Sequence, residues 1–467
     1  LRSMEQYGLD VSIRQAGIDF ANSGYPLWHA NEEGRRNLRN GIAPPDCSHP
    51  QFNVHADDID YQIEADFSGL IAPGLPNIVI ALGDKFGRLM NYGDGVYAGI
   101  FVGAMYAEAF FETDVIKIIR TALQSIPEDS QYAEMVRDML QWYGENPDEW
   151  EQTWQKVESK YHDNLNYRRV TCNAGSYNID AKINGAYILM GLLYGKGDLD
   201  RTIVISTRCG QDSDCNPSNA GGVLFTTLGF SKLPPRFSEK LDESRKFSHT
   251  EYNFPLLLDV CEKLARQAVI KQGGRIEKDA NGEEYFVIPV AKPLLTPTMK
   301  SWDPLPIDKS LFTDEERSQI KYREFRTMQD AVSHHFPGWI ITDCGSAMNP
   351  GILPEFRGKE NVFLTHPKGK GVPCILSREI ELPQNRESSL LLSVSYHPQG
   401  DWDLVVKING KEILKQTIGS DKKKDWTDLK VNLSKYAGQK VKIELLNMPN
   451  GWSYEAGYWS QIEIQNK

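Results

Sequence analysis

Part-way along the chain the apolar residues change their period, and that switch constrains the fold more than any single motif. From residue 1 to about 292 they recur at helical spacing between short polar loops. After about 340 they alternate: Leu404, Val406 and Ile408 lead into Asn409-Gly410, a type I′ hairpin signal, followed by Glu412 to Ile418. Leu429, Val431, Leu433 and then Val441, Ile443, Leu445 repeat the alternation. Two periods in two blocks require two cores. The expectation is an all-α bundle over 1–292 followed by an all-β antiparallel sandwich, jelly-roll-like, over 340–467. Between them, over 293–339, Pro293, Pro297, Pro304, Pro306 and Pro337 surround one charged helical stretch, Thr313 to Gln329, and predict a linker or docking segment.

Within the first block the pattern predicts helices at Gly95 to Phe111, Asp114 to Gln124, Ser130 to Tyr143, Asp148 to Tyr161, Ala181 to Tyr194 and Asp198 to Arg208. Gly99, Gly103 and Ala107 form one close-packing stripe on the first of these. Val and Thr are little clustered, so no sheet is expected there.

Charge and composition narrow the function. The 52 Lys+Arg against 63 Asp+Glu give a net charge of −11, and no basic run forms a phosphate-tracking stripe, which argues against nucleic acid as partner. Seven cysteines without a CxxC pair indicate neither a disulfide scaffold nor a structural zinc. The longest apolar stretch, Tyr97 to Phe111, is short of a bilayer span and carries Glu108. The opening LRSMEQYGLD has no signal pattern and starts helix-like without a capping residue, so the natural chain is expected to begin upstream of Leu1.

The string Gly210-Gln211-Asp212-Ser213-Asp214-Cys215-Asn216-Pro217 places two carboxylates just before a helix that Asn216 and Pro217 are expected to cap and open. Such oxygens suit Mg²⁺, Mn²⁺ or Ca²⁺, and helix N-terminal amides nearby suit an anionic substrate group. The small residues Asn219-Ala220-Gly221-Gly222 that follow imply a close approach by backbone or ligand. A second acidic run, Ala56 to Asp66, read as a helix, puts Asp57, Tyr61 and Glu64 on one face and Asp58, Gln62 and Asp66 on another. Gly93-Asp94-Gly95 lacks the spacing and the strand of a dinucleotide site. His29, His49, His55, His162 and His249 show no metal-ligand spacing and are expected on the surface or in local networks.

These residues carry a resemblance. The Gly-x-Asp-Ser-Asp-Cys-Asn string, the stretch Asn184 to Gly195 followed by Gly-Asp-Leu, and Asn91 to Gly99 are similar, in that order, to motifs of the ADP-ribosylglycohydrolase family. The resemblance implies a helical bundle that hydrolyses an N- or O-glycosidic bond to a ribose-like sugar, with Mg²⁺ or Mn²⁺ in a binuclear centre. It implies Asp212 and Asp214 as metal ligands, with the second-site ligands upstream of Leu1 and Cys215 where many members carry a Thr. Candidate acid and base carboxylates are Asp58, Asp60 and Glu64; candidate substrate-binding residues are Asn91, Asp94, Asn184, Gln211 and Asn216. The expected partner is a sugar or an ADP-ribose-type small molecule.

The sandwich is dense in Trp402, Trp426, Trp452, Tyr454, Tyr458 and Trp459, which either fill its core or stack on sugar rings. That density keeps two alternatives open: a secreted or periplasmic polysaccharide hydrolase whose sandwich holds a glycan polymer, and a non-catalytic glycan-binding protein.

Overall fold

The computed structural model describes residues 1–172, 177–307, 310–322 and 327–466. The chain divides into two compact units, Leu1–Lys321 and Tyr322–Lys467.

The first unit is built around two helices, Asp94–Ala109 and Ala181–Gly195. Each is buried on every side, apart from partly exposed Glu108. A helix apolar all round belongs in the middle of a bundle, and amphipathic neighbours such as Val115–Leu123, Gln131–Glu145 and Leu199–Arg208 cover this pair. The glycine stripe does what its spacing suggests. A Cβ at Gly99 would lie 2.2 Å from a Tyr61 ring carbon and one at Gly103 2.2 Å from Ser68 Oγ, so only glycine lets the 60–70 segment lie this close.

One sheet does occur in this unit. After helix Phe254–Lys271, strands β1 (Arg275–Lys278) and β2 (Glu284–Val287) form an antiparallel hairpin. Its signal was Asn281-Gly282: Gly282 takes φ +85°, and the Asp279 carboxylate accepts from the amides of Asn281 and Glu283.

The proline-rich stretch does not bridge freely. Met299 N–H donates to Tyr97 OH (2.6 Å), Leu305 N–H to Tyr92 OH (3.1 Å), Ser310 N–H to Asp46 (2.7 Å), and Arg14 pairs with Glu316. Residues up to 321 therefore belong to the helical unit. In place of one helix from Thr313 to Gln329 there are two short ones, Asp314–Ser318 and Met328–His335, each started by its own capping box on Thr313 and Thr327; residues 323–326 of that stretch lie outside the described residues. The second helix contributes Ala331 and Val332 to the other unit's core, followed by Phe336 and Trp339, so that unit extends well before residue 340.

The second unit is a sandwich of two five-stranded antiparallel sheets. One has the order β10 (Thr427–Asn432), β7 (Ser388–Tyr396), β12 (Gly457–Asn466), β5 (Lys359–Thr365), β4 (Gly351–Phe356); the other β3 (Ile340–Thr342), β6 (Cys374–Glu381), β11 (Lys440–Met448), β8 (Trp402–Ile408), β9 (Lys411–Ile418). Asn409 and Gly410 take φ +50° and +77°, as the type I′ turn between β8 and β9 requires. Trp402 and Trp459 fill the core, their indole N–H groups donating to Ser395 O and Thr365 Oγ1 (both 2.9 Å). Tyr458 is buried as well, whereas Trp452 and Tyr454 are exposed.

Candidate active site

Helix Leu199–Arg208 ends two residues before Gly210, and the chain turns through Gln211 at φ +53° into the acidic loop. The helix that follows starts at Cys215 with Asp214 as its cap, two residues earlier than Asn216-Pro217 suggests. Pro217 sits in the first turn, where a missing N–H costs nothing. The side chain of Asn216 is used elsewhere. Asn184 Oδ1 accepts from Asn216 Nδ2 (2.8 Å) and from the Asp212 amide (3.2 Å), while Asn184 Nδ2 donates to Asn178 O (3.1 Å) and Asp180 O (2.9 Å). Gln211 Oε1 accepts from the Asn178 amide (2.8 Å). Asn184, Gln211 and Asn216, the candidate substrate-binding residues, clamp the acidic loop to the 178–184 segment.

That clamp presents Asp212, partly buried, and Asp214, exposed, with the ligand atoms of Asp212, Asp214 and Cys215 all within 4.8 Å of one another. Burial and then the neighbouring Asp214 push the Asp212 carboxyl up to about 6. Two neighbouring carboxylates are a ready cation site, because a divalent ion relieves their mutual repulsion. The helix start itself is closed to an anionic ligand: the Cys215 amide bonds the Asp212 carboxylate, the Asn216 and Ser218 amides bond the Asp212 and Asp214 carbonyls (both 3.2 Å), and Pro217 has no N–H.

The second acidic run is placed differently from its helical reading. Helix Asp60–Glu64 begins after Asp57 and Asp58, whose backbone forms an isolated antiparallel bridge with 179–181: Ile59 N–H donates to Ile179 O (3.0 Å) and Ala181 N–H to Asp57 O (2.9 Å). Asn91 holds this segment, accepting from Tyr61 N (2.9 Å) and donating to Ala56 O (2.9 Å) and Asp58 O (2.7 Å), so it too is a strut.

Asp58 is fully buried. One oxygen accepts from the Thr171 hydroxyl and the Cys172 amide (3.1 Å); the other lies 2.9 Å from His55 Nδ1 and 3.5 Å from His29 Nδ1. The Asp58 bond raises the His55 pKa. Asp60 and Glu64 serve helix His29–Arg39, whose own cap residue, Trp28, offers no side-chain acceptor. Asp60 accepts from the Ala30 (3.3 Å) and Asn31 (2.8 Å) amides, and Glu64 from Asn31 Nδ2 (2.5 Å). Burial holds the Asp60 carboxyl well above the usual carboxylate range.

Asp94 belongs to a buried ion cluster. Lys182 Nζ lies 3.2 Å from Asp180, 3.6 Å from Asp57 and 3.9 Å from Asp94, and Asp94 also accepts from the Tyr132 amide (2.9 Å). Burial lifts Asp180 to about 7 and Asp94 to about 6, against the pull of the lysine.

The histidines are where sequence spacing misleads most. His29, His55 and Cys172, far apart in the chain, bring a ligand atom each within 4.8 Å of one another. Beside them stands Tyr177, its ring 6.3 Å from that of His29; its phenol pKa is raised by burial and then by Asp212, Cys172, Asp58 and Asp214. Of these, only the i, i+3 spacing of His55 and Asp58 was visible as a local signal.

The helical unit thus carries an aspartate pair on a loop clamped to its buried helix. The ADP-ribosylglycohydrolase family model matches residues 4–274, more than half of the chain, and the chain belongs to that family. No curated protein matches it. Among solved structures, "Structure of CBM35 from Paenibacillus barcinonensis" is similar at 11% identity and a TM-score of 0.20, over 28% of this chain and 96% of that one. A recombinant latent aurone synthase (polyphenol oxidase) is similar at 10% identity and a TM-score of 0.16, over 97% and 86%. Likenesses this weak bear on neither fold nor function. Among the described residues no helix is long and apolar enough to cross a membrane.

Proposed function

We propose that this chain is a metal-dependent hydrolase that cleaves an N- or O-glycosidic bond of ADP-ribose or a related sugar conjugate. The observation that carries the reading is the Asp212–Asp214 pair, held by Asn184 at the end of a buried helix. The donor set fits a hard divalent cation, Mg²⁺ or Mn²⁺: two carboxylates, one partly buried and protonating only with a pKa near 6. Bound there, such an ion supplies charge to orient sugar hydroxyls and to acidify a water.

The protein's own groups do the rest. Asn184, Asn216 and Gln211 fix the loop so that both carboxylates face one point. A carboxylate oxygen of Asp212 or Asp214 would accept one proton of the attacking water and return it to the leaving group as the glycosidic bond breaks. Tyr177, with a partly open ring and a phenol that stays protonated, offers a face for the sugar and a hydrogen-bond donor. Asp58 has both oxygens engaged, so we assign it to holding His55 rather than to proton exchange with substrate. Asp60 and Glu64 act at one remove, through the helix that begins with His29.

A second reading, hydrolysis of a glycan polymer held by the sandwich, is favoured by the exposed Trp452 and Tyr454, the latter stacked on His397 at 4.6 Å. Assaying release of ADP-ribose from a modified peptide and of sugars from oligosaccharides, each with Mn²⁺ and with chelator, decides between them. Turnover of the first alone supports the main reading and of the second alone the alternative. Binding of sugar with no turnover of either would mark a non-catalytic glycan-binding protein.

A further inference from the structure

We propose that His29, His55 and Cys172 form a second metal site, of the zinc type, separate from the Asp212–Asp214 pair. The proposal goes beyond the glycohydrolase reading and does not depend on it.

Two imidazoles and a thiol are borderline-soft donors, the set that selects Zn²⁺ over the hard Mg²⁺ and Mn²⁺. Their ligand atoms already lie within 4.8 Å of one another, whereas the donor–donor edges of a tetrahedral zinc site are roughly 3.3–3.7 Å, from bond lengths of about 2.0–2.3 Å. Closing by ~1 Å would complete it. All three side chains are partly exposed, so an ion can reach them.

What surrounds the triad resembles a support built for metal. Histidines that bind zinc pass their other ring N–H to a carboxylate, which fixes the ring and raises its basicity. Asp58 is that carboxylate for His55: it is fully buried, hydrogen-bonded to His55 Nδ1 at 2.9 Å, lies 3.5 Å from His29 Nδ1, and is itself held by the Thr171 hydroxyl and the Cys172 amide. The same carboxylate thus anchors the backbone of the third donor. His29 opens its helix at φ +47°, a conformation costly for a non-glycine residue, and it is kept there while Asp60 grips the next two amides. Backbone strain held by a buried carboxylate at a cluster of donors is the pattern of a binding site rather than of a surface histidine. Three protein donors leave a fourth position open, as in zinc sites that exchange ligands.

The test uses the whole chain, stripped of metal with a chelator and titrated with Co²⁺ and Zn²⁺. The expected result is one equivalent of Co²⁺ giving a thiolate-to-cobalt charge-transfer band and tetrahedral visible bands, with Zn²⁺ displacing the cobalt. Cys172→Ser should abolish the charge-transfer band and weaken Zn²⁺ at least about tenfold, and Asp58→Asn should weaken it about 10–100-fold. Asp212→Asn should leave the band intact, and Mn²⁺ binding followed by electron paramagnetic resonance should survive Cys172→Ser, which separates this site from the glycohydrolase one. A wild-type cobalt spectrum without a thiolate band, or Zn²⁺ binding undiminished in Cys172→Ser, overturns the proposal whatever happens at Asp212 and Asp214.

Discussion

Asn184 ties the acidic loop to the rest of the bundle through four hydrogen bonds, and all of them are buried or nearly so. Replacing it with alanine leaves buried amides and carbonyls without partners, at about 1–3 kcal/mol for each orphaned group. We expect Asn184→Ala to lower the unfolding free energy by about 3 kcal/mol in urea titration and to weaken Mn²⁺ binding, with the sandwich unaffected. Lys182 carries a larger stake, since its ammonium lies within 3.9 Å of three buried aspartates. Lys182→Met is expected to cost about 3–5 kcal/mol, the magnitude for a buried charge that loses its partner. The same cluster sets a pH dependence. Asp180 and Asp94 titrate near 7 and 6 in the folded chain, above the ~3.9 of an unfolded aspartate, so their contribution is fully present below about pH 4 and is lost as pH rises through 6 to 7. Thermal melts should therefore show this stabilisation falling across that window, and Asp180→Asn, which can still cap its helix, should flatten the fall. Single residues were the hardest scale to read from sequence. Asp212 and Asp214 were legible because a loop before a helix is a local pattern, whereas His29, His55 and Cys172 meet only through the tertiary fold, and Asn91 and Asn184 look the same in sequence whether they line a cleft or brace it.

At the scale of elements, periodicity recovered the central helices to within a residue or two, because burial on all sides leaves a long apolar run bounded by Asp114, Ser130, Asp180 and Asp198, all of which cap. It failed where short polar signals compete. The β1–β2 hairpin rests on one Asn-Gly turn, and the stretch at Thr313 contains two capping boxes that split one helical pattern into two. Asp57 and Asp58 left the helix because their backbone pairs with 179–181. Gly99→Ala tests the packing that sets this segment. With Tyr61 ring carbon 2.2 Å from the new methyl, the 60–70 segment must move, and we expect a loss of about 1–3 kcal/mol by denaturant melts together with reduced affinity for Mn²⁺.

Over the whole molecule the switch of period was the most informative feature, since it announced two cores, and two units are found. The boundary was harder, because proline-rich sequence reads as linker whether it crosses a gap or lies along a surface. Here tyrosine hydroxyls and Asp46 take up its amides. Separate cores predict separate unfolding: calorimetry should show two transitions, of which Mn²⁺ raises only the one belonging to the helical unit, as linkage requires for an ion bound to that unit's folded state. If Asp212 and Asp214 hold a catalytic divalent cation, Mn²⁺ titration of the whole chain by isothermal calorimetry will show it. Saturable binding by the wild type is expected, lost in Asp212→Asn and in Asp214→Asn while both variants keep the wild-type circular dichroism. Equal Mn²⁺ affinity in wild type and both variants, or no Mn²⁺ binding at all, would contradict it.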